Sequence, residues 1–178
     1  MAKTRFVFSG SGGQGVITAG IILAESAVLY EGLNAVQSQS YGAEARGGAT
    51  RCDVIISDAP IYFPKIIQPN VLVCLTQAAY SKYVPSLRPG GLLITDSRWI
   101  HIEKTIDARR FELPLSDTVS EKIGNPLVLN TCMLGAVVRL TAVVSPEAAK
   151  NVIRNRVPEN FLELNETAFD LGYDLAKT

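Results

Sequence analysis

Cysteine, histidine, aromatic residues and charge are all scarce in this chain of 178 residues. There are three cysteines, Cys52, Cys74 and Cys132, and they lie on separate segments. No CxxC pair and no Cys/His cluster occurs, which excludes a zinc site of ordinary spacing. An iron–sulfur cluster normally takes four thiolates, so the chain cannot hold one alone. An odd number of cysteines on apolar segments is the usage of reduced, buried thiols in a cytoplasmic protein. Charged residues make up 19%, and 17 Lys+Arg cancel 17 Asp+Glu. That balance gives no electrostatic reason to bind nucleic acid. Long apolar runs are missing too. The two most apolar stretches are broken by Glu25 and Arg139, so no membrane span is expected. Residues 1–4 lead straight into a strand-like run, so no secretory leader is expected either.

What is present is apolar and evenly spread. Hydrophobic residues reach 47%, with no low-complexity stretch, repeat or linker. The chain reads as one domain over residues 1–178. A chain of this length buries roughly 70% of its unfolded surface without a disulfide or metal. Strand-like runs fall at 5–9, 34–39, 51–57, 70–75, 92–95 and 110–113. Helical spacing marks 16–30, 77–87, 116–123, 126–144, 146–155 and 159–176, with Gly32 placed to end the first. Strands alternating with helices predict an α/β fold, Rossmann-like and doubly wound, with a mostly parallel sheet in three layers.

Gly10-Ser11-Gly12-Gly13-Gln14-Gly15 stands between the first strand and first helix and fits GxGxxG. Glycines let the backbone turn tightly and approach a ligand, and the helix N-terminus offers unpaired N–H groups to an anion. Ser11 and Gln14 can add donors. A tight turn without a ligand meets the same pattern. A dinucleotide would want a carboxylate at the end of strand two, but that strand ends Val36-Gln37-Ser38-Gln39-Ser40. NAD is therefore disfavoured, whereas a phosphate-bearing ligand is not. The pattern of Pro89-Gly-Gly-Leu-Leu-Ile-Thr-Asp96, a proline–glycine turn and then an apolar strand ending in Asp, also occurs in S-adenosylmethionine methyltransferases, which usually want that same missing acid.

The second loop, Ser40-Tyr41-Gly42-Ala43-Glu44-Ala45-Arg46-Gly47-Gly48, leaves strand two beside the first. Tyr41 offers an aromatic face and a hydroxyl. Glu44 and Arg46 can pair or face a partner, and Arg46 suits a carboxylate or phosphate. Gly42, Gly47 and Gly48 give backbone freedom. A plain solvated loop is the alternative.

These two loops, in this order and spacing, closely resemble the gamma subunit of 2-oxoacid:ferredoxin oxidoreductases. Arg51-Cys-Asp-Val-Ile-Ile-Ser-Asp58, Pro89–Asp96 and Asn130-Thr-Cys-Met-Leu-Gly135 are similar to that family as well. The resemblance covers residues 4–176. Within it, Ser-Tyr-Gly-x-Glu-Ala-Arg-Gly-Gly looks most like the 2-oxoglutarate enzyme; pyruvate and branched-chain 2-oxoacids are the alternatives. The resemblance implies a complex that turns a 2-oxoacid, CoA and oxidised ferredoxin into acyl-CoA, CO2 and reduced ferredoxin. It puts thiamine diphosphate, magnesium and iron–sulfur clusters on the alpha, beta and ferredoxin-like delta subunits. This chain then supplies no catalytic side chain and no metal ligand, and is inactive alone. CoA is the expected shared substrate, held at residues 10–15 and at Tyr41, Gly42, Glu44, Arg46, Gly47 and Gly48. A non-catalytic nucleotide-binding or scaffolding subunit is the competing reading.

The remaining signals are smaller. His101 and Trp99 are expected at or near the surface. Asp96 reads as a turn- or helix-initiating residue. Asn130 on an apolar helix needs a buried partner or a neighbouring chain, and Gly135 permits close packing. Lys150, Arg154 and Arg156 read as a solvated helical face. Tyr62, Phe63 and Pro64 are either an exposed patch or core. Residues 61–100 carry four basic residues and one acidic.

Overall fold

The computed structural model describes residues 3–40, 49–102 and 106–177. Among them, six strands form one sheet: β1 (Thr4–Gly10), β2 (Asn34–Ser40), β3 (Thr50–Ser57), β4 (Val71–Cys74), β5 (Gly91–Asp96) and β6 (Ala108–Leu113). The order across the sheet is β2-β3-β1-β4-β5-β6. β1, β4, β5 and β6 run parallel to one another. β3 runs antiparallel to both β1 and β2. The sheet is therefore mostly parallel, as expected, with one reversed strand inserted beside β1. The reason is the connection after β2: residues 41–49 are too few for a crossover helix, and parallel neighbours need a dozen or more.

The helices are α1 (Val16–Tyr30), α2 (Gln77–Tyr83), α3 (Leu115–Lys122), α4 (Leu129–Thr141), α5 (Pro146–Arg156) and α6 (Leu162–Leu175). Single 3-10 turns extend α2 and precede α4 and α6. Local chemistry sets their ends. Gly32, at φ 65°, reverses the chain after α1, and the Leu33 amide donates to the Ala27 carbonyl at 3.0 Å. Ser145 caps α5 by accepting from the Ala148 amide at 3.2 Å, with Pro146 in the first turn. Thr76 caps α2 in the same way.

Two apolar cores lie on opposite faces of the sheet. The larger takes Phe6, Phe8 and Ile94 from the strands and packs them against α1, α3 and α4, joined by α5 and α6. Here α4 and α6 cross at backbone contact. A Cβ on Gly172 would stand 1.7 Å from the Cys132 carbonyl oxygen, and one on Gly135 would stand 2.1 Å from that of Phe169. The smaller core takes Val7, Leu72 and Leu93 and packs them against α2, Ile66 and Ile100. The three thiols are free and buried, Cys52 and Cys132 in the larger core and Cys74 in the smaller. Burial pushes the Cys52 thiol up to about 11 and that of Cys132 up to about 12.

The basic residues of α5 are engaged rather than merely solvated. Arg154 reaches Glu147 at 2.7 Å and Glu166 at 2.5 Å, Lys150 reaches Asp170 at 2.7 Å, and Arg156 pairs with Glu25. These contacts sew α1, α5 and α6 together along their outer seam.

Candidate functional site

β1 and β4 are parallel neighbours, but their chains leave in opposite directions. β1 leads into α1 on the larger-core face, and β4 leads into α2 on the other. This is a topological switch point, where open α/β sheets leave a crevice at the C-terminal strand ends. Residues 10–15 occupy it. The Leu75 amide donates to the Ser9 carbonyl at 2.9 Å, closing β4 against β1 just below the loop.

The loop is a tight turn held by its own glutamine. The Gln14 Oε1 atom accepts from the Ser11 amide at 2.7 Å, and the Gln14 amide donates to the Ser11 carbonyl at 3.3 Å. A Cβ on Gly10 would meet that Oε1 atom at 2.4 Å, so the fold-back needs a glycine there. Ser11, Gly12 and Gly13 are exposed. Gly15 is left-handed, with φ 71° and ψ 18°, and starts α1 with no side-chain cap. The first turn of α1 carries no acid. Its leading amides thus face the crevice without an intramolecular acceptor from a cap, the arrangement that favours an anion.

A second helix start meets the same loop. A Cβ on Gly15 would stand 2.8 Å from Asn130 Cβ and Cγ and 2.9 Å from its Nδ2. Asn130 lies in the first turn of α4, which carries no acid and continues from a 3-10 turn capped by Asn125, the Leu129 amide donating to the Pro126 carbonyl. Asn130 is buried; its Oδ1 is 3.5 Å from the Thr131 hydroxyl, which donates more closely to Asn165 Oδ1 at 2.7 Å. The sequence marked Asn130 as a polar residue needing a partner. The structure puts it under the glycine loop, an assignment that periodicity alone cannot make.

Of the second loop, Tyr41, Gly42, Glu44, Arg46, Gly47 and Gly48 lie outside the described residues. Its flanks are described. Ser40 pairs in register with Arg51, and Gly10 with Thr50. The Ser9 hydroxyl donates to the Thr50 carbonyl at 2.8 Å. The segment therefore leaves and re-enters the sheet at the same edge as residues 10–15. The end of β2 brings no carboxylate, and β3 separates it from β1. The position from which a dinucleotide fold grips a ribose is thus held by a strand running the other way.

The end of β5 is built differently. Asp96 is fully buried; its Oδ1 accepts from the Arg98 amide at 3.2 Å and its Oδ2 from the Ser116 amide at 3.1 Å and the Ser116 hydroxyl. It initiates the turn after β5, as expected, and also holds the first turn of α3 from twenty residues away. Burial raises its pKa, and the Ser116 contacts oppose that rise. Trp99 is 51% exposed, donates from Nε1 to Ser116 Oγ at 3.1 Å, and lies under the Arg98 guanidinium. His101 is exposed, and its backbone amide donates to Gln77 Oε1 at 2.8 Å.

Comparison with known proteins agrees with this architecture. Residues 5–175 match the family model described as pyruvate ferredoxin/flavodoxin oxidoreductase. The 2-oxoglutarate synthase subunit KorC of Methanocaldococcus jannaschii is 47% identical over 171 residues, 95% of this chain and 91% of that one. The crystal structure of the gamma subunit of a keto/oxoacid ferredoxin oxidoreductase from Geobacter sulfurreducens superposes with a TM-score of 0.91 at 43% identity, covering 99% of this chain and 97% of that one. The 2-oxoglutarate:ferredoxin oxidoreductase of Magnetococcus marinus, solved with 2-oxoglutarate, coenzyme A and succinyl-CoA bound, shares the fold at 24% identity and a TM-score of 0.88. The match covers 98% of this chain and 31% of that longer one. A glycine loop at the switch point, an alternating α/β order and a family match over nearly the whole length lead to one assignment: the chain belongs to the pyruvate ferredoxin/flavodoxin oxidoreductase family.

Proposed function

We propose that the chain is a single-domain, gamma-type subunit of a thiamine diphosphate-dependent 2-oxoglutarate:ferredoxin oxidoreductase. The complex converts 2-oxoglutarate and CoA into succinyl-CoA and CO2 and passes the electrons to ferredoxin. The substrate follows from likeness to the 2-oxoglutarate synthase subunit. Alpha, beta and ferredoxin-like delta subunits are the partners, and the cytoplasm is the compartment. No helix among the described residues is long and apolar enough to cross a membrane. Thiamine diphosphate, magnesium and iron–sulfur clusters are assigned to those partners. The residues here do not fit them: the thiols are buried in two separate cores, and no metal-holding group of acids, histidines and cysteines occurs among the described residues.

The observation that carries the role of this chain is the uncapped, acid-free start of α1 at the switch point, with the Asn130 side chain of α4 packed against its Gly15. CoA carries a pyrophosphate and a 3′-phosphate, and backbone amides answer such groups without a titratable side chain. In this reading residues 10–15 hold a phosphate. Arg46, with Tyr41, Gly42, Glu44, Gly47 and Gly48, completes the entry from the neighbouring connection. The test is steady-state kinetics of the complex reconstituted from its subunits. Arg46→Ala is expected to raise KM for CoA about tenfold or more, the worth of one charge-assisted contact, and to leave KM for 2-oxoglutarate unchanged. An unchanged KM for CoA with weakened assembly assigns the loop to docking on the thiamine-binding chains instead.

A further inference from the structure

The second cavity of interest lies at the far edge of the sheet, among residues with no part in the glycine-loop site. It is a cleft of about 710 Å3 lined by Arg5, Phe63, Lys65, Ile67, Arg88 and Pro89, together with Gln68. Arg5 stands at the start of β1, and Arg88 shortly before β5. The cleft is therefore at the N-terminal strand ends, about 20 Å along β1 from residues 10–15.

Three features set it apart. The first is charge. Arg5, Lys65 and Arg88 form no ion pair among the described residues, while the cations of α5, Lys150, Arg154 and Arg156, are all paired. The second is apolar exposure. Tyr62 is 89% exposed, Ile67 75% and Phe63 59%. The third is a fixed backbone. The Arg51 guanidinium holds the Ile66 carbonyl at 3.0 Å and is itself clamped by Asp53 and laid over Tyr83. Ile66 is buried beneath. The Arg5 amide donates to Asn70 Oδ1 at 3.0 Å, the Asn70 amide to the Arg5 carbonyl at 2.8 Å, and the Arg88 amide to the Pro69 carbonyl at 3.2 Å. Phe63 and Ile67 are therefore presented on a rigid support, at little ordering cost to a partner.

The occupant follows from these features. Such exposure does not enclose a small ligand, which usually loses most of its surface to its pocket. A two-fold pairing of copies is disfavoured, because the patch then meets itself and brings cations, with no carboxylates, to both sides. We propose that this cleft docks a carboxylate-rich segment of another subunit of the complex. Phe63 and Ile67 are its apolar anchors, and Arg5, Lys65 and Arg88 meet its carboxylates. The inference rests on the reading of this chain as a complex subunit.

The experiment co-expresses the tagged chain with its thiamine-binding partner chains and measures co-purification against salt. The double reversal Lys65→Glu with Arg88→Glu alters exposed side chains only, so its thermal midpoint is expected to match the wild type. Recovery of partner chains is expected to fall about tenfold or more, and a reciprocal acid-to-lysine change on the partner to restore it. A photo-crosslinker at position 67 of the otherwise wild-type chain is expected to mark a partner segment bearing carboxylates. Undiminished recovery with the same salt dependence overturns the inference, as does a crosslink to an uncharged segment. If the wild-type chain itself recovers no partner, the complex reading falls, and the inference with it.

Discussion

The two faces of the sheet are furnished very unequally. One is covered by α1, α3 and α4, with α5 and α6 outside them, and its core runs from Phe6 to Phe169. The other is covered by the seven residues of α2 and by irregular chain around Ile66 and Ile100. The thick face has its polar seam closed by ion pairs, whereas the thin face leaves Tyr62, Phe63 and Ile67 in solvent and three cations without an ion pair among the described residues. The contrast separates two uses of apolar residues. On the thick side they hold the chain together, and on the thin side a share of them is reserved for contact with something else. The 47% apolar content counts both.

Substitutions can break this comparison. The largest effect is expected from Gly172→Val on the thick face, where the new side chain meets the Cys132 backbone and drives α6 off α4. A loss of about 3 kcal/mol or more is expected in urea unfolding. Gly15→Ala comes next, at about 2 kcal/mol, because it forces a left-handed residue to carry a Cβ against Asn130. In the assembled enzyme it should also raise KM for CoA. Phe63→Ser with Ile67→Ser, on the thin face, is expected to leave stability within about 0.5 kcal/mol while weakening recovery of partner chains. A stability loss there as large as that of Gly172→Val would erase the distinction between the faces.

The smallest effects are electrostatic and opposite in sign. Arg156 holds the Glu25 carboxyl below its ordinary range, so that pair contributes fully above about pH 4 and fades as pH falls through the lowered value. Both partners are about a third exposed, so its worth stays under about 1 kcal/mol. Burial instead raises Asp96, so its contribution is greatest at low pH and declines as pH rises above about 4. Thermal midpoints of Glu25→Gln and Asp96→Asn against wild type, followed from acid to neutral pH, check both signs.

Much of this molecule was legible in its sequence. Helical spacing from Val16 and the stop at Gly32 give α1 with the bounds the structure has. Pro146 after Ser145 gives the start of α5, and the glycine cluster lies where a strand hands over to a helix. The reversal of β3 was not read, although its signal was present in the short connection after β2. Alternation along Cys52–Ile56 is the same for either strand direction, so periodicity is silent on it. The place of Asn130 under Gly15 was hidden for another reason. It joins residues more than a hundred positions apart, and no local pattern encodes such a meeting. The pairing of the α5 cations with α1 and α6 was hidden likewise.

The hold on an anion proposed for residues 10–15 has one further consequence. Between Gly10 and Val16 no side chain titrates, and the donors aimed at the crevice belong to the backbone. Capture by this loop therefore has no ionisation of its own to lose across the physiological pH range. It is also hard to delete by mutation, since a codon change removes an amide hydrogen only by writing proline. Side chains here tune shape; the polarity of the site is carried by the main chain, where drift in the sequence barely reaches it.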